Sequence, residues 1–137
     1  MNSHCLTKDE HDYLCNVLDT IHLLNWQLLE ALIISNPKKF EAVSKAVSAS
    51  DALNGMTILH AAIRCNPPPN TVKLITRLTP FAARAVDVIG RTPLHIAAGI
   101  RAHPQSIKIL VDACCDACAF QDADGRTPLH FACDVNW

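Results

Sequence analysis

A nine-residue phrase occurs three times in this sequence at a constant interval. The copies GMTILHAAI, GRTPLHIAA and GRTPLHFAC begin at Gly55, Gly90 and Gly125, so the period is 35 residues. A fixed period of roughly 20 to 50 residues is typical of a solenoid, in which each unit buries its apolar face against its neighbours. The repeat therefore constrains the fold more than any other feature of the chain.

Each copy of the phrase predicts a tight turn followed by a helix. Thr57, Thr92 and Thr127 stand where an N-cap hydroxyl can accept a hydrogen bond from a free backbone N–H. Pro93 and Pro128 then fall at the first helical position, where a missing N–H costs nothing. Stretches with turn chemistry, Asp first and Gly last, precede two of the copies: DVIG at 87–90 and DADG at 122–125.

A second helix is predicted after each of the first two copies. The apolar residues Val72, Ile75 and Leu78 recur in pattern 35 residues later, and Pro69 and Pro104 match as the predicted helix starts. Each unit is therefore predicted to run through a turn, a helix, a loop, a second helix and an extended return to the next turn.

This pattern resembles the ankyrin repeat family, whose T-P-L-H-x-A motif stands here as TPLHIA at 92–97 and TPLHFA at 127–132. The copy at 57–62, TILHAA, has Ile58 where the family has proline. The resemblance implies an all-α fold, a short helical solenoid. It implies repeats at 52–86 and 87–121 and a partial repeat, with a turn and first helix only, at 122–137.

Residues 1–51 fit the repeat less well, and we expect a helical N-terminal cap or a degenerate first repeat there. Positions 29–37 align with 72–80 at an offset of 43, which leaves about eight extra residues before Gly55. The spacing of Phe40, Val43 and Val47 predicts that an additional helix contains them, and residues 8–24 also show helical spacing.

Composition argues against several functional classes. The net charge of −1 does not favour a nucleic-acid partner. The apolar region between Leu14 and Ile34 is interrupted by polar residues, so membrane insertion is not expected. Seven cysteines without a secretory signal favour free thiols in a reducing, intracellular compartment, cytoplasmic or nuclear. We found no phosphate-binding loop or nucleophile elbow, so we expect neither an enzyme nor a cofactor.

The C-terminal third contains a zinc-like arrangement of ligand types, formed by Cys115, Cys118, His130 and Cys133. The repeat register favours a structural interpretation instead. His130 is equivalent to His60 and His95, which have no cysteine three residues later, and the resemblance implies that this histidine braces the turn. Cys133 occupies the slot of Ala98, where we expect a small buried residue.

In ankyrin proteins, partners contact the turn tips and the exposed side of the first helix of each unit, which form a concave face. The resemblance implies that this face comprises Leu53, Asn54, Met56, Arg64 and Cys65, then Val88, Ile89, Arg91, Gly99 and Ile100, and then Ala123, Asp124, Arg126, Asp134 and Val135. The apolar tip residues Val88 and Ile89 either pack on adjacent tips or contact a partner. Arg91 and Arg126 align in adjacent units, either as a small basic ridge or as solvated side chains.

The function predicted from the sequence is non-catalytic binding of another protein through an ankyrin-repeat scaffold. The alternatives are a zinc-stabilised module using the Cys/His cluster, or the recognition segment of a larger enzyme or receptor. Because the third unit stops after its first helix, we expect a fragment of a longer array in which Phe131 and Cys133 lack a covering helix.

Overall fold

The computed structural model describes residues 6–48, 53 and 55–133, and this part of the chain is all-α. It contains no β-strand, in agreement with the predicted fold class. The α-helices are α1 (Lys8–His22), α2 (Trp26–Ser35), α3 (Pro37–Ser48), α4 (Ile58–Ile63), α5 (Pro69–Leu78), α6 (Pro93–Gly99), α7 (Pro104–Ala113) and α8 (Pro128–Cys133). Two short 3₁₀ helices span Pro80–Arg84 and Cys115–Ala119.

The predicted helix starts are confirmed at the repeated phrases. The Thr57 hydroxyl accepts a hydrogen bond from the His60 N–H at 3.2 Å, and Thr92 does the same for His95 at 3.3 Å. Each hydroxyl thereby satisfies one of the N–H groups that a helix leaves unpaired at its start. The second helices begin at Pro69 and Pro104, as the repeat predicted.

The helices form two rows with the apolar core between them. In one row, α1 contacts α4, α4 contacts α6, and α6 contacts α8; in the other, α2 contacts α5, and α5 contacts α7. Leu29, Ile63 and Ile75 are fully buried in this core. Each such side chain contributes roughly 1.5–3 kcal/mol relative to an exposed position. The helices that follow the turn tips, α4, α6 and α8, thus lie in one row.

The three helix–loop–helix connections share one unusual backbone position. Leu24, Asn66 and Arg101 have positive φ angles of 57°, 54° and 57°. Each of their N–H groups donates to the carbonyl oxygen three residues earlier, at 3.0, 2.9 and 3.3 Å respectively. The loop between α1 and α2 therefore has the same local conformation as the loops of the two later helix pairs.

The expected extended return is wrong for its first five residues in both later units. The 3₁₀ helices Pro80–Arg84 and Cys115–Ala119 follow α5 and α7 after one residue each, and extended backbone begins only at Ala85 and Phe120. Small residues explain this path, because Ala82 and Ala117 are buried where the return crosses the core. In the N-terminal third, the predicted additional helix is present as α3, directly after α2.

Two expectations at the C-terminal edge are also wrong. Phe131 is 2% exposed, because its ring makes an edge-on contact with His95 at 5.2 Å between centroids. The Arg126 guanidinium packs against the same ring, 4.8 Å from the Phe131 centroid. Cys133, expected in a small buried slot, is exposed near the end of the described residues. Phe131 is thus covered by the preceding unit, whereas Cys133 is not.

Candidate functional site

A histidine in each of the first two phrases connects its unit to the next. The Thr57 N–H donates to His60 Nδ1 at 3.2 Å, so Nδ1 is an acceptor. His60 Nε2 lies 2.9 Å from the carbonyl oxygen of Arg91, and because a carbonyl only accepts, Nε2 carries the proton. His95 repeats the arrangement, with Nε2 3.0 Å from the carbonyl oxygen of Arg126. The bracing role implied by the family resemblance is therefore present at both units.

The tip of the second unit is organised by Asp87. Its carboxylate accepts hydrogen bonds from the Ile89 N–H at 3.0 Å and the Arg91 N–H at 2.9 Å, and Arg91 Nε donates to it at 3.0 Å. Burial alone would raise the pKa of Asp87, but the two N–H groups and the guanidinium outweigh burial, and the pKa is lowered. Asp87 is therefore a carboxylate at neutral pH and accepts the N–H groups of the tip.

Adjacent tips are held together by the backbone. The Ala123 N–H of the third tip donates to the carbonyl oxygen of Ile89 at 2.7 Å. Gly90 has a φ of +85°, and a Cβ at this position would lie 3.2 Å from the Ala123 nitrogen. The tips therefore form a continuous edge along which successive units present their side chains at fixed spacing.

The predicted surface residues of the first unit converge on one pocket. Leu53, Met56 and Cys65 are half-buried and line it together with the exposed Arg64. The pocket has a volume of about 380 Å³. An Arg64 guanidinium N–H donates to Met56 Sδ at 3.8 Å, which holds both side chains at the rim. Asn54, predicted for the same surface, lies outside the described residues.

The opposite wall of this pocket was missed by the sequence reasoning. Leu18, Ile21 and His22, in the last two turns of α1, line the pocket across from Met56. The only available signal was helical spacing at residues 8–24, which predicts a helix but does not show that α1 lies beside α4. The pocket is therefore apolar inside and has two nitrogen-containing side chains, His22 and Arg64, among its lining residues.

The second unit presents its predicted residues in two groups. Val88 is 75% exposed and Ile89 is 40% exposed at the tip. A Cβ built on Gly55 would lie 3.3 Å from Val88 Cγ1, so Val88 touches the preceding tip while most of its surface is open. Gly99 and Ile100 are half-buried at the end of α6. The apolar tip is therefore both a contact between units and an exposed surface.

The two arginines do not form a ridge of unpaired positive charge. Arg91 Nη2 lies 3.0 Å from the buried Asp87 carboxylate. Arg126 is paired with Asp122 at 3.5 Å and with Asp124 at 3.4 Å. Each guanidinium therefore stabilises its own turn.

The remaining residues predicted for the third unit divide into two groups. Ala123 and Asp124 are exposed at the third tip. Asp134 and Val135 lie outside the described residues.

The cysteine cluster does not assemble a metal site in the part of the chain that the structure describes. No group of three or more His, Cys, Asp or Glu side chains there is placed to hold a metal ion. Cys115, Cys118 and Cys133 are exposed. His130 Nδ1 accepts from the Thr127 N–H at 3.0 Å, as the equivalent histidines do. The geometry therefore gives the zinc hypothesis no support.

Comparison with models of known protein families gives a match over half of the chain. A protein-family model described as "Ankyrin repeats (3 copies)" matches residues 68–136, which are 69 of the 137 residues. A comparison with curated proteins gives no match. Among the described residues, every helix is too short or too polar to cross a bilayer.

Proposed function

Because this chain belongs to the ankyrin repeat family, we propose that it is a non-catalytic binding module whose partner protein lies along its turn tips and first helices. Ankyrin repeats in general mediate interactions between proteins. The partner of this chain contacts the predicted surface residues that remain accessible, and the interaction takes place inside the cell. Either the chain acts alone, or it is the recognition segment of a larger enzyme or receptor.

The observation that carries the proposal is the pocket between α1 and α4. Four predicted surface residues, Leu53, Met56, Arg64 and Cys65, meet there although they are separated by up to 12 positions in the sequence. Apolar walls with a few polar groups at the rim are typical of a site that receives an anchoring side chain. The volume of about 380 Å³ is large enough for one aromatic or long aliphatic side chain.

The charges around the pocket favour a partner with an acidic residue beside its apolar anchor. Arg64 is exposed and forms no ion pair with a described residue; its guanidinium contacts the neutral Met56 sulfur. Arg91 and Arg126, in contrast, are neutralised by aspartates of their own tips. Arg64 is therefore the cation of this surface that is available to a partner carboxylate.

The division of the chain follows from the same interpretation. We propose that residues 1–51 form a degenerate first repeat or helical cap, because α1 and α2 stand in the same two rows as the later helix pairs. On this account α1 is the first helix of that unit, and the pocket lies between two neighbouring first helices.

Site-specific photo-crosslinking in cells tests the proposal. A crosslinking amino acid is placed at Arg64 or at Val88, and at Lys73 as the control, because Lys73 is exposed on α5 in the other row of helices. We expect the same protein to be captured from Arg64 and Val88 and not from Lys73. Capture from Lys73 alone would place the partner on the opposite side and contradict the proposal.

A further inference from the structure

A polar groove lies between α5 and α7, in the row of helices opposite the surface proposed above. It has a volume of about 600 Å³. Two of its described lining residues, Pro69 and Ile109, are apolar. Its polar and charged lining residues are Asn70, Lys73, Gln105, Lys108 and Asp112. A groove with so little apolar surface does not suit the buried apolar anchor of a protein partner, and it suits a small polar ligand.

The helix pair one unit earlier shows which chemical group stands between two such helices. Helices α2, α5 and α7 each have 10 residues. Glu30 and Lys73 are the fifth residues of α2 and α5, and Thr71 and Ser106 are the third residues of α5 and α7. Between α2 and α5, the Thr71 hydroxyl donates to the Glu30 carboxylate at 2.6 Å. Because Thr71 is buried, this carboxylate satisfies a hydroxyl group that is closed off from water.

The equivalent contact between α5 and α7 lacks its carboxylate. Lys73 stands at the position of Glu30, and Ser106 stands at the position of Thr71. Ser106 is 1% exposed, and its hydroxyl has no hydrogen-bond partner among the described residues. Since Ser106 is placed relative to Lys73 as Thr71 is placed relative to Glu30, its hydroxyl faces the side of the groove that Lys73 lines. A buried donor without an acceptor is unfavourable, and an anion in the groove would supply the acceptor.

Positive charge collects at the same end of the groove. Lys73 is exposed and makes no ion pair with a described residue. Lys108 pairs with Asp112 at 3.0 Å, but both side chains are largely exposed, so this pair is weak and Lys108 can exchange Asp112 for a ligand. The first turns of α5 and α7 line the groove through Asn70 and Gln105, and each helix carries a partial positive charge at this end.

From these features we infer that the α5–α7 groove binds the phosphate group of a small molecule. The phosphate takes the place that the Glu30 carboxylate has between α2 and α5. Its oxygens can accept from Lys73, Lys108 and the Ser106 hydroxyl at the same time, whereas a carboxylate has two oxygens to share among these three donors.

Binding of pyrophosphate to the full 137-residue chain tests the inference. The binding is measured by titration calorimetry in a phosphate-free buffer, and the test variants are Lys73→Gln and Ser106→Ala. Lys45→Gln is the matched control, because Lys45 is an exposed lysine on α3, outside both the groove and the binding surface proposed above. We expect saturable binding that each test variant weakens about tenfold, since each removes one hydrogen bond to a charged group. The control should leave the affinity unchanged.

The melting temperature without ligand tests the placement of Ser106 separately. Lys73→Glu puts a carboxylate where Glu30 stands one unit earlier, so it should abolish pyrophosphate binding and also raise the melting temperature by giving the Ser106 hydroxyl an acceptor. The same change in a Ser106→Ala background should not raise it. Ser106→Ala alone should not lower the melting temperature, because it removes a buried polar group that has no partner.

Several results would overturn the inference. They are no binding of pyrophosphate, equal weakening by Lys45→Gln, and a melting temperature that Lys73→Glu leaves unchanged or raises equally without the Ser106 hydroxyl. Succinate that binds as tightly as pyrophosphate would overturn the assignment to phosphate. A phosphoserine peptide that binds more tightly than pyrophosphate would overturn the assignment to a small molecule, in favour of a phosphorylated protein.

Discussion

His60 Nε2 donates a hydrogen bond to the carbonyl oxygen of Arg91, 31 residues further along the chain. The same histidine closes the turn of its own unit through Nδ1 and the Thr57 N–H. One buried side chain therefore fixes the start of α4 and connects it to the next tip. The spacing of the tips, and with it the geometry of the proposed binding surface, depends on this contact.

Replacing His60 should destabilise the protein strongly. His60→Ala leaves the Thr57 N–H without its partner, removes one of the two donors to the Arg91 carbonyl oxygen (the Asp87 N–H remains) and opens a cavity, so we expect a loss of about 2–4 kcal/mol in the free energy of unfolding. His130→Ala is the matched control, because His130 is exposed and its Nε2 bonds to no described residue. Urea unfolding of both variants measures the difference, and equal losses would contradict the bridging role.

The stability of the protein should fall in mild acid. Burial, the largest influence, lowers the pKa of His60 below its ordinary value, while its bond to the Arg91 carbonyl acts in the opposite direction without cancelling it. Below about pH 6.5 the unfolded chain therefore binds a proton that the native histidine resists. Stability is fully present above that pH and is lost as the pH falls towards the native pKa of His60.

The pH effect has a direct control in His60→Gln, which cannot titrate. Unfolding free energies at pH 7.5 and 5.5 should differ less in this variant than in the wild-type chain. If the two proteins lose the same stability between these pH values, His60 is not the source of the acid sensitivity.

Comparing alanine substitutions at two glycines separates the cost of backbone strain from the cost of crowding between tips. Gly90 and Gly125 both have positive φ angles, of 85° and 78°, so an alanine at either position is strained by about 1–2 kcal/mol. Only at Gly90 would the added Cβ meet the next tip, 3.2 Å from the Ala123 nitrogen. We expect Gly90→Ala to lower the melting temperature clearly more than Gly125→Ala; the same loss in both would show that the tips can move apart.

The carboxylate of Asp87 should matter far more than that of a neighbouring tip. Asp87→Ala removes the acceptor of the Ile89 and Arg91 N–H groups and leaves the Arg91 guanidinium unpaired, so we expect a loss of about 2–4 kcal/mol. Asp124→Ala removes a carboxylate that is 70% exposed, and we expect less than about 1 kcal/mol. Thermal unfolding compares the two, and a small effect at Asp87 would mean that the turn holds without its carboxylate.

The repeated phrase predicts local structure well, because the caps and helix starts that it specifies involve residues only a few positions apart. Thr57 and Thr92 cap helices as expected, and Pro69 and Pro104 begin helices as expected. These outcomes depend on hydrogen bonds and backbone angles near each residue, which one sequence specifies.

Contacts between units could not be predicted in the same way. Phe131 is buried against the ring of His95 from the preceding unit. The pocket wall formed by Leu18 requires that α1 stand beside α4, and residues 8–24 lack the repeated phrase that would have revealed this. Burial by a neighbouring unit is a property of the stack and is not encoded in the spacing of one segment.

We propose that a partner protein binds to the surface that contains the α1–α4 pocket. Titration calorimetry of the photo-captured partner against Arg64→Glu and Lys73→Glu tests it most directly, because both variants reverse one exposed positive charge, on opposite rows of helices. We predict that Arg64→Glu weakens the affinity at least tenfold while Lys73→Glu leaves it within a factor of two. Equal affinities for the two variants would contradict the account.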